Sequence, residues 1–294
     1  MADQIQNYLI KAYTGLVITQ AQQTGSKVLP YCSVKNNVRG ESAAFGYLGT
    51  ADMVAKPSRH APTPAQDVTH QQRWATLAAY HGGFGLDETD SEAAFTDPKS
   101  DYVMIGRQAF SRKWDSVIFT AAKGNATYGT TGGSTETWST YTDRNAVSHV
   151  VAATGGVPNL ADILKLNRIF ADCDIDEDLH AFVSPQFIEK WLAVTEVKST
   201  EYNTIRALMD PNAQGMEFAG FMWHRSTQLP KSSTTRSCIF MQRNAMGVAF
   251  SVDQKVRIAE RADLSFAWWS YFETALGAVR RDSERVIEYT FTES

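Results

Sequence analysis

An α+β fold is predicted for this chain on three observations. Segments near 97–123, 160–171 and 185–194 carry apolar residues at helical spacing. A late series of aromatic and β-branched runs, separated by Thr, Ser, Asn and Gly, reads as strands that pair antiparallel. Ahead of the long helix, residues 40 to 88 read as an extended two-stranded arm with a polar tip, which on its own is marginally stable and needs a partner. The 294 residues are enough to bury roughly 75% of the unfolded chain's surface.

Composition narrows the class. The chain is 43% hydrophobic and 20% charged, a globular balance. A net charge of -4 excludes a protein that coats nucleic acid through a strongly basic surface and leaves only weak contact through local patches. No apolar run approaches the roughly 18 residues of a membrane helix. The N-terminus lacks the basic and apolar regions of a signal peptide, so the cytoplasm is the expected site of synthesis and assembly. Cys32, Cys173 and Cys238 are widely spaced with no CxxC, which predicts buried free thiols rather than a disulfide framework or zinc site.

Residues 2 to 24 place Ile5, Leu9, Ile10, Tyr13, Leu16 and Val17 near helical spacing, and Gly25, Ser26 and Lys27 end the expected helix. Val28 to Val34 reads as an extended segment that Pro30 keeps at a sheet edge, followed by a turn to Gly40. In the arm, Gly46, Gly49, Pro57, Pro62 and Pro64 argue against a central buried sheet. Arg59, His60, Asp67, His70 and Arg73 form a mixed-charge cluster there. His60, His70 and Asp67 offer metal donors, but their spacing matches no zinc motif. Charge-assisted hydrogen bonds across the hairpin or across a subunit contact are the expectation.

Asp97 and Pro98 are a good helix start, with Asp as N-cap and Pro at the first position. Val103, Phe110, Trp114, Val117, Ile118 and Ala121 then share one side, while Arg107, Arg112, Lys113 and Asp115 lie elsewhere. The helix is about six turns long and ends at Lys123 and Gly124. Residues 126 to 141, rich in Gly and Thr, lack the Lys-Ser/Thr pair of a phosphate-cradling loop and read as a mobile surface loop or domain junction. Pro158 and Asn159 cap a helix from Leu160 to Ala171, with Leu160, Ile163, Leu164 and Ile169 on the buried side.

The acidic run Asp172 to Asp178 fails as a calcium loop: counted from Asp174, Leu179 and Pro185 stand where Gly and Glu are required. It is expected to be a solvated turn leading to a strand at His180–Val183 and a helix opened by Ser184 and Pro185, running to about Val194. Residues 195 to 215 read as a loop. Strands are then expected at Met216–Arg225, Ser237–Gln242, Gly247–Ser251, Val256–Ala259, Leu264–Phe272 and Val286–Phe291. No nucleophile elbow, Walker loop, HExxH or dinucleotide fingerprint is present, so no catalytic residue, metal or cofactor is proposed.

Four segments in consistent order carry a resemblance. Arg59–Asp67 (RHAPTPAQD), followed by His70, Arg73, Tyr80, Asp87 and Asp90, resembles the return strand of an extended loop and the acidic turn before a spine helix. Gly106–Asp115 (GRQAFSRKWD) resembles the spine helix, Leu179–Ile188 (LHAFVSPQFI) the strand and Pro-led helix of an axial domain, and Gly277–Glu288 (GAVRRDSERVIE) the final turn and strand. Together they resemble the major capsid proteins of tailed double-stranded-DNA bacteriophages, over most of the chain.

That resemblance implies an N-terminal arm (1–39), an extended loop (40–88), a peripheral domain on the spine helix (89–154), an axial domain (155–255), and closing strands shared by the two domains (256–294). It implies a virion shell subunit, not an enzyme. Its partners would be its own copies in pentamers and hexamers, a portal, scaffolding or decoration proteins, and packaged DNA held by weak non-specific contacts; no membrane is involved. Inter-subunit contacts are expected at Lys56, Arg59, His60, Asp67, His70 and Arg73. An interior, DNA-facing set is expected at Lys11, Lys27, Lys35, Arg39, Arg107, Arg112 and Lys113. Some such shells are cross-linked between Lys and Asn; Lys56 sits at a suitable tip, but no partner is identifiable. Two other readings stay open: an encapsulin-like compartment shell, and a metal-dependent enzyme using Arg59, His60, Asp67 and His70.

Overall fold

The computed structural model describes residues 22–51, 53–63, 65, 67–86, 99–193, 216–264 and 267–293. The expected N-terminal helix with Lys11, the turn at Asp87 and Asp90, the Asp97–Pro98 start and the 195–215 loop lie outside the described residues. In chain order the first elements are β1 (Ser33–Lys35), β2 (Ser42–Leu48), β3 (His70–Thr76), β4 (Ala78–Leu86) and α1 (Lys99–Lys123). Then come β5 (Ala126–Tyr128), β6 (Ser134–Glu136), β7 (Val150–Ala152), α2 (Leu160–Asp172), β8 (Leu179–Val183) and α3 (Pro185–Leu192). The last are β9 (Met216–Phe218), β10 (Phe221–Arg225), β11 (Lys231–Ser232), β12 (Thr235–Gln242), β13 (Met246–Arg261), β14 (Ala267–Arg280) and β15 (Val286–Thr292).

The α+β class is what the strands and helices build, in three sheets. The largest runs β7-β15-β12-β8-β10-β9, with β11 beside β12. Its centre, β8, is buried along its whole length. Phe187 of α3 packs on Tyr289 and Phe291 at 5.9 and 5.5 Å, and Phe170 of α2 on Phe221 at 6.0 Å, covering one face. Phe119 of α1 packs on Phe182 at 5.5 Å from the other. A strand covered on both faces carries apolar residues without strict alternation, as LHAFV does. The expectation of antiparallel pairing is corrected at three pairs: β8/β10, β7/β15 and β1/β13 run parallel. At β8/β10 the antiparallel hairpin β9/β10 turns the chain back into the direction of β8, so that β10 pairs with it in parallel.

A second sheet, β1-β13-β14-β4, supports the first half of α1. Phe110 meets Phe272 at 6.2 Å, Trp114 meets Phe250 at 5.3 Å, and the Trp114 indole donates to Thr274 Oγ1 at 3.1 Å. Gly106 is required at this contact, because a Cβ there would stand 2.2 Å from the Phe272 ring. The two strands expected at 247–251 and 256–259 are one, since register shifts between Phe250 and Lys255 absorb the polar Asp253 and Gln254.

The third sheet, β2-β3-β5-β6, corrects the reading of residues 126–141 as a mobile loop. They form an ordered hairpin whose glycines serve its turn: Gly129 and Gly132 have φ of 101° and 72°, and the Trp74 indole donates to the Gly129 carbonyl at 2.7 Å. The paired hairpin of the arm spans Ser42↔Thr76 to Leu48↔His70, while β4 leaves it for the second sheet. In α2, Leu164 is 54% exposed and Leu166 and Phe170 are buried instead, since 163, 166 and 170 follow the inner stripe more closely. Its N-cap is Asn159, accepting from Asp162 N at 2.7 Å. Ser184 caps α3 by accepting from Phe187 N at 3.2 Å.

Candidate assembly surfaces

The hairpin β2/β3 divides into a tip and a root with opposite character. At the tip, Lys56, Arg59, His60 and Asp67 are all exposed, as is His70 at the start of β3. Apolar residues are exposed beside them, Met53 fully, Leu48 and Val54 by about two-thirds. Among the described residues, His60, Asp67 and His70 do not bring their donor atoms together into a three-ligand group.

Arg73, expected at a subunit contact, points into its own chain. It is buried at the root and donates to Glu136 Oε2 at 2.8 Å. Ser283 Oγ donates to the other oxygen of the same carboxylate. Arg280, fully buried, stands 3.8 Å from that oxygen and lies over the Trp138 ring at 4.0 Å. Its Nη1 donates to the carbonyls of Ala121 (3.2 Å), Ala122 (2.8 Å) and Gly124, the unpaired end of α1. Trp138 in turn donates to Glu288 Oε2 at 2.8 Å. Burial alone would raise the Glu136 carboxyl; the hydrogen bonds from Arg73 and Ser283 outweigh it and hold the group below the usual carboxylate range. Burial brings the Arg280 guanidinium down to about 10, against the pull of Glu136. Sequence reading missed this hub, because Arg280 and Glu136 are 144 positions apart and neither sits in a recognisable pattern.

The expected interior set is spread over several faces. Arg39 and Arg107 are exposed. Lys35 lies over Phe45 at 4.6 Å, and Lys113 over Tyr80 at 4.1 Å. Arg112 donates to Gln22, and Lys27 Nζ donates to the Arg225 carbonyl at 2.6 Å, where burial and then Arg225 lower its pKa. Asp115, placed by spacing away from the apolar side of α1, is instead fully buried. It accepts from Gln23, from Ser26 and from the Lys27 amide at 3.0 Å, which fastens residues 23 to 27 across the middle of the helix. Nearby, His180 Nδ1 and His224 Nε2 stand 3.1 Å apart under the Tyr31 ring. Burial, helped by His180 and Lys27, lowers the His224 pKa to about 4.

The described residues form one long helix, three sheets and an exposed hairpin, and residues 5–293 match the family model described as phage capsid protein. The chain belongs to the phage capsid protein family. Solved structures agree on the fold. The capsid of cyanophage P-SCSP1u superposes with a TM-score of 0.71 at 13% identity, covering 98% of this chain and 94% of that one. The capsid of Ralstonia phage GP4 gives 0.70 at 11% identity, covering 97% and 96%. The capsid of a native GTA particle gives 0.63 at 13%, covering 97% and 96%. No curated protein sequence matches. The family makes this a structural capsid protein, and neither the compartment-shell reading nor the enzyme reading finds support in it. No helix among the described residues of the capsid protein is long and apolar enough to cross a membrane.

Proposed function

We propose that this capsid protein is the major shell subunit of a tailed phage. In this reading it assembles with its own copies through pentamers and hexamers into an icosahedral head around double-stranded DNA, in the host cytoplasm, with a portal and scaffolding or decoration proteins as further partners. The observation that carries the proposal is the hairpin tip, where Met53, Val54 and Leu48 are exposed next to Lys56, Arg59 and His60. Apolar surface of this kind, rimmed by charge, is what a subunit interface covers. Repetition of a head-to-tail contact closes rings.

The domain division proposed is arm 1–39, extended loop 40–88, peripheral domain 89–154, axial domain 155–255 and closing strands 256–294. It is supported by β14 lying in the sheet under α1 while β15 lies in the sheet with α2 and α3. For the interior face the proposal retains Arg39 and Arg107, whose exposure leaves them available to phosphate, with Lys11, Lys27, Lys35, Arg112 and Lys113 as weaker contributors. The test is electron microscopy with light scattering on the purified chain, alone and co-expressed with its scaffolding protein. Closed shells, tubes or five- and six-membered rings are expected; a monomer under both conditions overturns the proposal.

A further inference from the structure

We propose that Asp143, His149 and Cys173 form a binding site for a zinc-class divalent ion. The three residues come from separate segments. Asp143 and His149 flank a turn closed by the Thr142/Ser148 bridge just before β7, and Cys173 follows the last residue of α2. All three are buried, and the Asp143 and His149 side chains are wholly inaccessible. Their donor atoms lie within 4.8 Å of one another, the one such group among the described residues. Asp143 Oδ2 is 3.4 Å from His149 Nε2 and 3.4 Å from Cys173 Sγ. Zinc bonds of about 2.0–2.3 Å place neighbouring donors of a tetrahedral site roughly 3.3–3.8 Å apart, so two of the three separations already have the required value.

The surrounding hydrogen bonds fix the donors for this role. His149 Nδ1 is 2.8 Å from the Val286 carbonyl, which only accepts, so that nitrogen carries the hydrogen. In the neutral ring Nε2 then turns a lone pair toward a carboxylate oxygen, two acceptors facing each other in a dry site. A positive charge belongs between them. Asp143 Oδ1 is occupied by the amides of Asn145 (2.8 Å) and Val147 (2.9 Å), which leaves Oδ2 for the ring and the thiol. Backbone ties of this kind orient metal ligands. One thiolate, one imidazole and one carboxylate is a set that zinc accepts and that magnesium and calcium, which take oxygen, do not. Binding releases the Cys173 thiol proton, and thiolate with carboxylate then neutralises the dication.

The site would staple residues 142–149 to the end of α2 and, through Val286, to β15. Arg144 reinforces the same junction, donating to the Cys173 carbonyl at 2.9 Å and to Glu284 Oε2 at 2.9 Å. The spacing, Asp and His six apart and Cys a further 24 along, matches no zinc signature, which is why sequence reading found nothing there. The alternative occupant is a proton, giving a buried imidazolium on Asp143.

Metal analysis of the full-length chain, purified without chelator, separates the two. About one zinc per chain is expected, with loss in Cys173→Ser. Cobalt(II) exchanged into the wild-type protein is expected to give a thiolate-to-cobalt charge-transfer band, and a strong chelator to lower the wild-type thermal midpoint. The last two readouts need no variant and stand if Cys173→Ser fails to fold. A metal-free protein that shows no thiolate band after equilibration with excess cobalt, and no shift with chelator, overturns the proposal in favour of the imidazolium pair.

Discussion

The tip and the root of the β2/β3 hairpin belong to one supersecondary unit and are opposite in physics. At the root, Arg73 is buried against Glu136, whose two carboxylate oxygens are taken by Arg73 and Ser283 of the same chain. At the tip, Met53 and Val54 have no cover of their own. The root therefore belongs to the stability of one chain and, in the proposed assembly, the tip to the association of many. Charge composition alone does not distinguish the two, since both carry arginine.

Glu136→Gln tests the root hardest. It leaves Arg73 and Arg280 buried without their shared anion, and a loss of about 3–5 kcal/mol is expected in urea unfolding of the unassembled chain. A loss under about 1 kcal/mol would make the root no more structural than an exposed ion pair. Acidification comes next. Because the His224 pKa falls from 6.5 to about 4 on folding, the unfolded chain binds the proton more tightly. Stability is then full above pH 6.5 and declines as the pH falls toward 4, by on the order of 3 kcal/mol. His224→Gln should flatten that slope in a pH series of unfolding midpoints. Glu136, whose pKa is lowered, adds its own loss only at lower pH, as it takes up a proton.

Gly106→Ala sharpens the contrast within α1. An exposed helical glycine gains about 1 kcal/mol on this change, but here the new Cβ meets Phe272, and a net loss of about 1–3 kcal/mol is expected from thermal unfolding. Met53→Ser is the smallest on this scale. Unfolding of the single chain should move by less than about 0.5 kcal/mol, while the yield of shells or rings by light scattering falls sharply. A stability loss there comparable to that of Glu136→Gln would erase the distinction between tip and root.

Much of the architecture is legible in the sequence. The helices end where Gly124 and the Asn159 and Ser184 caps place their limits, and the hairpin follows from its turn residues and alternating faces. What escaped was set by partners far along the chain. Asp115 is buried because Gln23, Ser26 and Lys27 arrive to satisfy it, and periodicity reads only its own helix. The 126–141 stretch reads as a loop from its Gly and Thr content alone, whereas its glycines serve a tight turn against Trp74. In the charge cluster of the arm, Arg73 turns inward to Glu136 while His70 stays exposed, because β3 alternates its faces.

Mechanically, the hairpin is a cantilever. Of its seven residue pairs the fourth, Phe45↔Arg73, carries the Arg73–Glu136 clamp, and the three pairs beyond it reach roughly 10 Å toward the tip at about 3.3 Å per residue. The clamp is anchored through Arg280 to the last carbonyls of α1 and, through the Trp138 ring beneath that guanidinium, to Glu288 of the seven-stranded sheet. In the proposed assembly, a load applied by a neighbour at the free end would reach the end of the spine helix through Arg280 and the large sheet through Trp138 and Glu288. Bending at that one joint would let identical subunits meet at different angles while the bulk of each stays rigid.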